Sequence, residues 1–246
     1  MEKKESVIVV EGLNKSFGTN HVLRNFSMTV QQGENLVILG KSGSGKSVLI
    51  KCIINLIEPD SGKIIVLGQD TSELDQDEMD VLRADVGFLF QSNALYDSMT
   101  VRENLEFPLR RHWTKERRQK GAKEAVLEAL QDVGLSHTID MMPAELSGGM
   151  RKRIALARTL ILRPKVILYD EPTTGLDPIT AREISQLMLD VQKKYNATSI
   201  IISHDMNCIR MTSNRVIMLI DGYGYANDTY DNLCLSTDPK IREFFD

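Results

Sequence analysis

Only three cysteines, Cys52, Cys208 and Cys234, occur in 246 residues. They are far apart and odd in number. They form neither a disulfide framework nor a zinc-ligand spacing, and read as small buried hydrophobes in a reducing cytosol. Long apolar runs are missing as well. None approaches the roughly 18–20 residues that a membrane span requires. The opening Met1-Glu2-Lys3-Lys4-Glu5-Ser6 is polar and lacks the regions of a signal peptide. A basic excess is absent too: 30 Lys and Arg stand against 34 Asp and Glu, a formal net charge of −4. That excludes a protein whose main work is to grip nucleic acid through a strongly basic surface. What is present, 42% hydrophobic and 26% charged residues, is the composition of a soluble globular chain of one large or two small domains.

Hydrophobic patterning divides the chain in three. The first third reads as short strands. Val7 to Val10 is a compact apolar run, and Phe26, Met28 and Val30 alternate with polar neighbours. Leu36 to Leu39 is a fully apolar strand ending in a glycine-rich turn. A helical stretch over Val48 to Ile57 is stopped by Glu58-Pro59-Asp60-Ser61-Gly62. Ile64 to Leu67 and Val86 to Phe90 are further buried-strand candidates. From about Thr100 to Thr159 helical signals dominate. Ala122, Ala125, Val126, Ala129, Leu130 and Val133 form one stripe of a helix, with Thr114 as N-cap and Gly134 as its stop. Strands return at Val166 to Tyr169, Thr198 to Ser203 and Val216 to Ile220, with a helix near 180–194. This pattern predicts an α/β fold with a parallel-sheet core and a helical insert.

The sharpest local signal is Gly40-Lys41-Ser42-Gly43-Ser44-Gly45-Lys46-Ser47, which fits G-x-x-x-x-G-K-[ST]. Glycines let backbone N–H groups approach phosphate oxygens, and the following helix turns its positive end to the same anion. Lys46 is expected between the β- and γ-phosphates, with the Ser47 hydroxyl on Mg²⁺. A second acidic site follows the apolar run Val166-Ile167-Leu168-Tyr169, which ends in Asp170-Glu171. The carboxyl end of a parallel strand is where α/β sheets bind ligands. Asp170 is expected to hold Mg²⁺ through a water, and Glu171 to act as general base.

Further motifs stand in one order. Gln91 follows the strand Val86–Phe90. Leu146-Ser147-Gly148-Gly149-Met150 precedes the acidic strand. Thr174-Gly175-Leu176-Asp177 follows it, and His204 follows the strand Thr198–Ser203. Phe17 lies upstream of the phosphate loop. Singly, each has a plainer explanation: a helix entry turn for Gly148-Gly149, a surface or core histidine for His204, core packing for Phe17. Together with the phosphate loop they make the whole chain resemble the nucleotide-binding subunit of an ABC transporter. Gln91 resembles the Q-loop glutamine, Ser147 to Met150 the signature, Asp177 the D-loop, His204 the switch histidine and Phe17 the aromatic that stacks on adenine. Met150 departs from the usual glutamine, while the anion-binding Ser147, Gly148 and Gly149 remain.

The resemblance implies a P-loop NTPase of ABC type spanning residues 1–246. Its parallel core is RecA-like, with an N-terminal antiparallel β-subdomain and a helical subdomain inserted at about 92–159. It implies ATP hydrolysis with Mg²⁺ held by Ser47, Gln91 and Asp170. Glu171, Gln91 and His204 serve the chemistry. A head-to-tail dimer encloses two ATP molecules, one copy supplying Ser147, Gly148 and Gly149 to the γ-phosphate on the other. No nucleic acid partner is expected.

A finer resemblance lies in Phe88 to Leu109 and in Ser236 to Phe245. Both look like the Mla/Mce-type ATPases, which power traffic of phospholipid or other lipids between membranes. With no run long enough to span a bilayer, transport needs an integral membrane permease, expected to dock on Gln91 to Leu109 through Ala94, Leu95, Tyr96 and Met99; the plainer alternative is that Leu95, Tyr96 and Met99 pack inside the domain. A lipid-binding subunit and a peripheral location on the cytoplasmic face of the inner membrane are implied as well. Related importers of nutrients such as amino acids share much of this region, and ABC-type ATPases of DNA repair or translation form a third class. The tail reads as a capped helix with Pro239 in its first turn and an Ile241/Phe244/Phe245 face. The basic segment Arg110 to Lys123 reads first as a solvated helix face. Its alternative is contact with anionic headgroups or an acidic partner.

Overall fold

The computed structural model describes residues 5–246. The polar opening read at residues 1–4 lies outside the described residues. The chain begins with β1 (Ser6–Phe17) and β2 (Asn20–Gln31), crosses into β3 (Asn35–Leu39), continues through α1 (Lys46–Ile53), and returns with β4 (Ser61–Val66) and β5 (Gln69–Asp70). Strands β2, β1, β4 and β5, in that order, make an antiparallel sheet. Helix α2 (Gln76–Ala84) leads to β6 (Val86–Leu89). The helices α3 (Val101–His112), α4 (Lys115–Asp132) and α5 (Gly148–Leu160) follow with no strand between them among the described residues. Alternation then resumes: β7 (Val166–Asp170), α6 (Pro178–Tyr195), β8 (Thr198–Ile202), α7 (Met206–Thr212), β9 (Arg215–Ile220) and β10 (Tyr223–Asp228). The short helices α8 (Tyr230–Cys234) and α9 (Pro239–Arg242) close the chain. The second sheet has the order β10-β9-β3-β8-β7-β6, parallel except for the edge strand β10.

The central strands are apolar throughout because both faces of this sheet are covered. Successive side chains of a strand point to opposite faces. Val37, Leu39, Ile167, Tyr169 and Ile201 therefore enter one core with α3, α4, α5 and α6. Leu36, Ile38, Val166, Leu168 and Ile200 enter the other, with α1 and the antiparallel sheet. Cys52 is buried in the second of these cores, Cys208 is buried as well, and Cys234 is half-buried. Burial pushes the Cys52 thiol up to about 11, which keeps it an inert hydrophobe.

The expected elements are present, with informative differences. Helix α1 stops at Ile53 rather than Ile57. Asn55 adopts φ 51°, and the N–H groups of Asn55 and Leu56 return to the Cys52 and Lys51 carbonyls at 2.9 and 2.8 Å. An asparagine in the left-handed region thus closes the last turn. Helix α2 has no counterpart in the expectations, although Asp75 and Glu78 form its reciprocal capping box. Thr114 does cap α4 by accepting the Arg117 N–H, and Gly134 sits just past its end at φ 71°. In the basic segment, Arg110 pairs with Glu106, Arg111 with Asp80, and Arg117 covers the Trp113 ring. Those partners favour the solvated-face reading.

Candidate active site

Four loops leave the carboxyl ends of parallel strands on one edge of the second sheet. The phosphate loop follows β3, Gln91 follows β6, Glu171 follows β7 and His204 follows β8. They line one cavity of about 670 Å³ together with Phe17. The loop closes tightly on itself. Gly45 has φ 102°, and a Cβ there would lie 2.6 Å from Val22 Cγ1, so only glycine fits. The Ser44 hydroxyl is buried without a hydrogen-bond partner. A buried polar atom left unsatisfied in this glycine-rich turn suits an incoming anion.

Lys46 is 6% exposed. Its ammonium donates to the Gly40 and Lys41 carbonyls at 2.7 and 3.0 Å. Burial lowers its pKa, while Glu171 and Asp170 oppose that change. The charge is thus stored inside the loop that would receive phosphate. The Ser47 hydroxyl donates to Asp170 Oδ1 at 2.8 Å. Burial raises the Asp170 pKa, and the Ser47 hydrogen bond pulls it down. These two oxygens are the hard donors that Mg²⁺ takes, and Gln91 on the same cavity offers a third.

Glu171 sits at φ 51°, in a region that costs a non-glycine residue energy. Its main-chain N–H donates to the Ile202 carbonyl at 3.0 Å. Its Oε2 lies 2.7 Å from His204 Nδ1 and accepts the Thr174 hydroxyl at 3.1 Å. Two contacts therefore hold the carboxylate at the cavity wall and one holds its backbone, and a carboxylate held there can take a proton from water. Phe17 stands at the rim, 51% exposed, with the Lys15 ammonium 5.3 Å from its ring centre. An exposed ring at a pocket mouth can stack on a base.

Not every expected site residue is here. Ser147, Gly148, Gly149 and Asp177 line a different cavity of about 490 Å³. Ser147 caps α5 by accepting the Met150 N–H at 3.2 Å, which leaves its own O–H free to donate. Gly149 has no room for a side chain, since a Cβ would lie 2.7 Å from Thr180 Cγ2. Asp177 caps α6 by accepting the Ile179 and Thr180 N–H groups. The Thr180 hydroxyl and these N–H groups hold its pKa low. Met150 lines this second cavity as well and packs partly against the core.

The structure also adds residues that the motifs do not mark. Glu243 and Phe244, just after α9, line the phosphate-loop cavity. Glu243 pairs with Lys41 at 2.6 Å. The capped helix is legible in the sequence, with Asp238 accepting the Lys240 N–H. Its contact with the loop, some 200 residues away in sequence, has no local signal.

Residues 23–174 match the family described as ABC transporter. The chain belongs to the ABC transporter family. It is an ATP-binding and ATP-hydrolysing domain by that membership. The probable ribonucleotide transport ATP-binding protein mkl of Mycobacterium bovis is 40% identical over 237 residues, covering 96% of this chain and 66% of its own length. This chain therefore spans about two thirds of that relative. The glutamate/glutamine/aspartate/asparagine transport ATP-binding protein BztD of Rhodobacter capsulatus is 38% identical, covering 89% of this chain and 81% of its own. Among solved structures, the ATP-binding cassette MJ0796, in a dimeric post-hydrolysis state bound to ADP and Pi, superposes with a TM-score of 0.80 at 31% identity. It covers 90% of this chain and 98% of its own.

Proposed function

We propose that this ABC ATPase powers a transporter that moves phospholipid or another lipid between membranes. The observation that carries the hydrolytic site is the Ser47 hydroxyl 2.8 Å from Asp170, beside buried Lys46 and a Glu171 braced by His204. In this reading Lys46 and the N–H groups of Gly40 to Ser47 hold the phosphates, and Phe17 stacks on the adenine. Ser47, Asp170 and Gln91 hold Mg²⁺, which neutralises phosphate charge when bound. Glu171 takes the proton of the attacking water, and His204 fixes its carboxylate.

Ser147, Gly148, Gly149 and Asp177 face a second copy, head to tail. Their separation from the phosphate-loop cavity supports that arrangement, and MJ0796 was itself solved as a dimer. The segment at about 92–159 acts as a helical subdomain inserted in a RecA-like core. No helix among the described residues is long and apolar enough to cross a membrane. Transport therefore requires an integral membrane permease, with this chain peripheral on the cytoplasmic face and a lipid-binding subunit as a further partner.

The lipid cargo rests on the likeness of residues 88–109 and 236–245 to the Mla/Mce-type ATPases. The second reading, an amino-acid importer, is favoured by the 38% identity to BztD. Native purification from membranes separates them. Co-purifying phospholipid with a permease supports the first, and a permease with an amino-acid-binding protein supports the second.

The proposed docking stretch is only partly free. Leu95 packs against the core, whereas Tyr96 is 42% exposed and lies 4.8 Å from the Phe107 ring. Leu95 therefore belongs to the fold, and the docking role falls to the Tyr96 and Phe107 rings. Tyr96→Asp is expected to leave a folded subunit with ATP turnover within about twofold of wild type, as a surface change does. It is expected to lose the membrane permease on purification. Undiminished co-purification would remove this surface from docking.

A further inference from the structure

Helix α5 carries two cations that reach back to the loop after β6. Lys152 is 3% exposed, and its ammonium donates to the Gln91 carbonyl at 3.0 Å. Burial lowers its pKa, with Asp170 and Glu171 opposing. A buried ammonium is costly unless its hydrogens are used. Here one is used on the main chain of the residue whose side chain faces the phosphate-loop cavity. Further along the same helix, Arg158 donates to the Ala94 and Asn93 carbonyls at 2.8 and 3.3 Å, and its guanidinium lies 5.8 Å from the Tyr96 ring. Asn93 and Ala94 are consecutive non-glycine residues at φ 65° and 52°. Such a pair persists only where its surroundings hold it.

We infer that Lys152 is a positioning residue for ATP hydrolysis. It locks the main chain of Gln91 to the helix that Ser147 caps, and Arg158 fixes Asn93 and Ala94. The inference rests on the reading of Gln91 and Ser147 given above. Its physical content is a coupling. Moving Gln91 away from α5 would strand a buried ammonium, so the loop at this chain's own phosphates and the helix end facing the second copy shift together. Gln91 then reaches its place only when α5 does, and hydrolysis is tied to closure on the partner.

Lys152→Met keeps the length and bulk but donates nothing, and Lys152→Gln restores a donor without the charge. Two measurements decide. In the nucleotide-free protein, hydrogen exchange of the amides at 91–96 is expected to quicken about tenfold in Lys152→Met, the scale of one lost hydrogen bond to a charged group. Exchange in the central strands is expected to stay unchanged. In steady state, kcat is expected to fall about tenfold with KM for ATP within about twofold, because the phosphate loop is untouched. Lys152→Gln is expected to recover most of the kcat. Unchanged exchange at 91–96, or a kcat loss that Lys152→Gln does not recover, overturns the inference. A wild-type protein without ATP turnover would instead overturn the reading of the site, and the exchange comparison would still decide the role of Lys152.

Discussion

Glu171→Gln is expected to bind ATP as the wild type does while turnover falls by about 10² or more, the scale of removing a positioned base. The amide keeps the shape of the carboxylate and can still accept the Thr174 hydroxyl, which now donates at 3.1 Å. It cannot take a proton from water at neutral pH. The pairing with His204 at 2.7 Å loses its charge, yet the main-chain tether to Ile202 remains, so the loop keeps its place. Phosphate release measured beside an ATP titration separates the two effects. Near-native turnover would take Glu171 out of the mechanism.

Lys46→Ala acts on binding instead. The ammonium is buried and already oriented by the Gly40 and Lys41 carbonyls. Phosphate must compete with those carbonyls, so the gain is the difference between neutral and charged acceptors. Contacts of a charged donor with a charged acceptor are worth about 1.5–3 kcal/mol, which is roughly one to two decades in affinity. The alanine variant is therefore expected to raise the dissociation constant for ATP by that factor without unfolding, since Lys46 lies in the first turn of α1 rather than in either core. Nucleotide titration checks it. An unchanged dissociation constant would mean that the loop binds phosphate without its lysine or does not bind it.

How much of this was legible in the sequence depended on distance along the chain. The central strands were readable because two-sided burial makes them uniformly apolar. The phosphate loop was readable because its geometry needs glycine and lysine at fixed spacing. Glu171 is legible from the apolar strand it ends, whereas Gln91 and His204 are marked only by the resemblance to ABC ATPases; the structure gathers all three around one cavity. Helix ends were less clear: Asn55 sits inside an apolar run and ended α1 early. The Asp75–Glu78 capping box marks the start of α2 by hydrogen bonding, a signal the hydrophobic pattern does not carry. The Lys41–Glu243 pair and the Lys152 contact to Gln91 join segments 202 and 61 residues apart. Neither leaves a periodic or local trace. Leu95 shows the same limit, since an apolar residue next to a docking loop reads alike whether it faces a partner or the core.

The central claim is that one ATP is enclosed by the phosphate loop of one copy and the Ser147 helix end of another. Size-exclusion chromatography with light scattering, run on Glu171→Gln with and without Mg-ATP, tests it most directly when Ser147→Asp is added. Asp at 147 preserves the helix cap but sets a negative charge against the partner's phosphate. The account predicts that ATP converts Glu171→Gln to a dimer, and that the added Ser147→Asp leaves a monomer with unchanged ATP affinity, because Ser147 is not part of its own chain's phosphate cavity. A dimer that persists with Asp at 147, or an ATP affinity that falls as it does in Lys46→Ala, would contradict it.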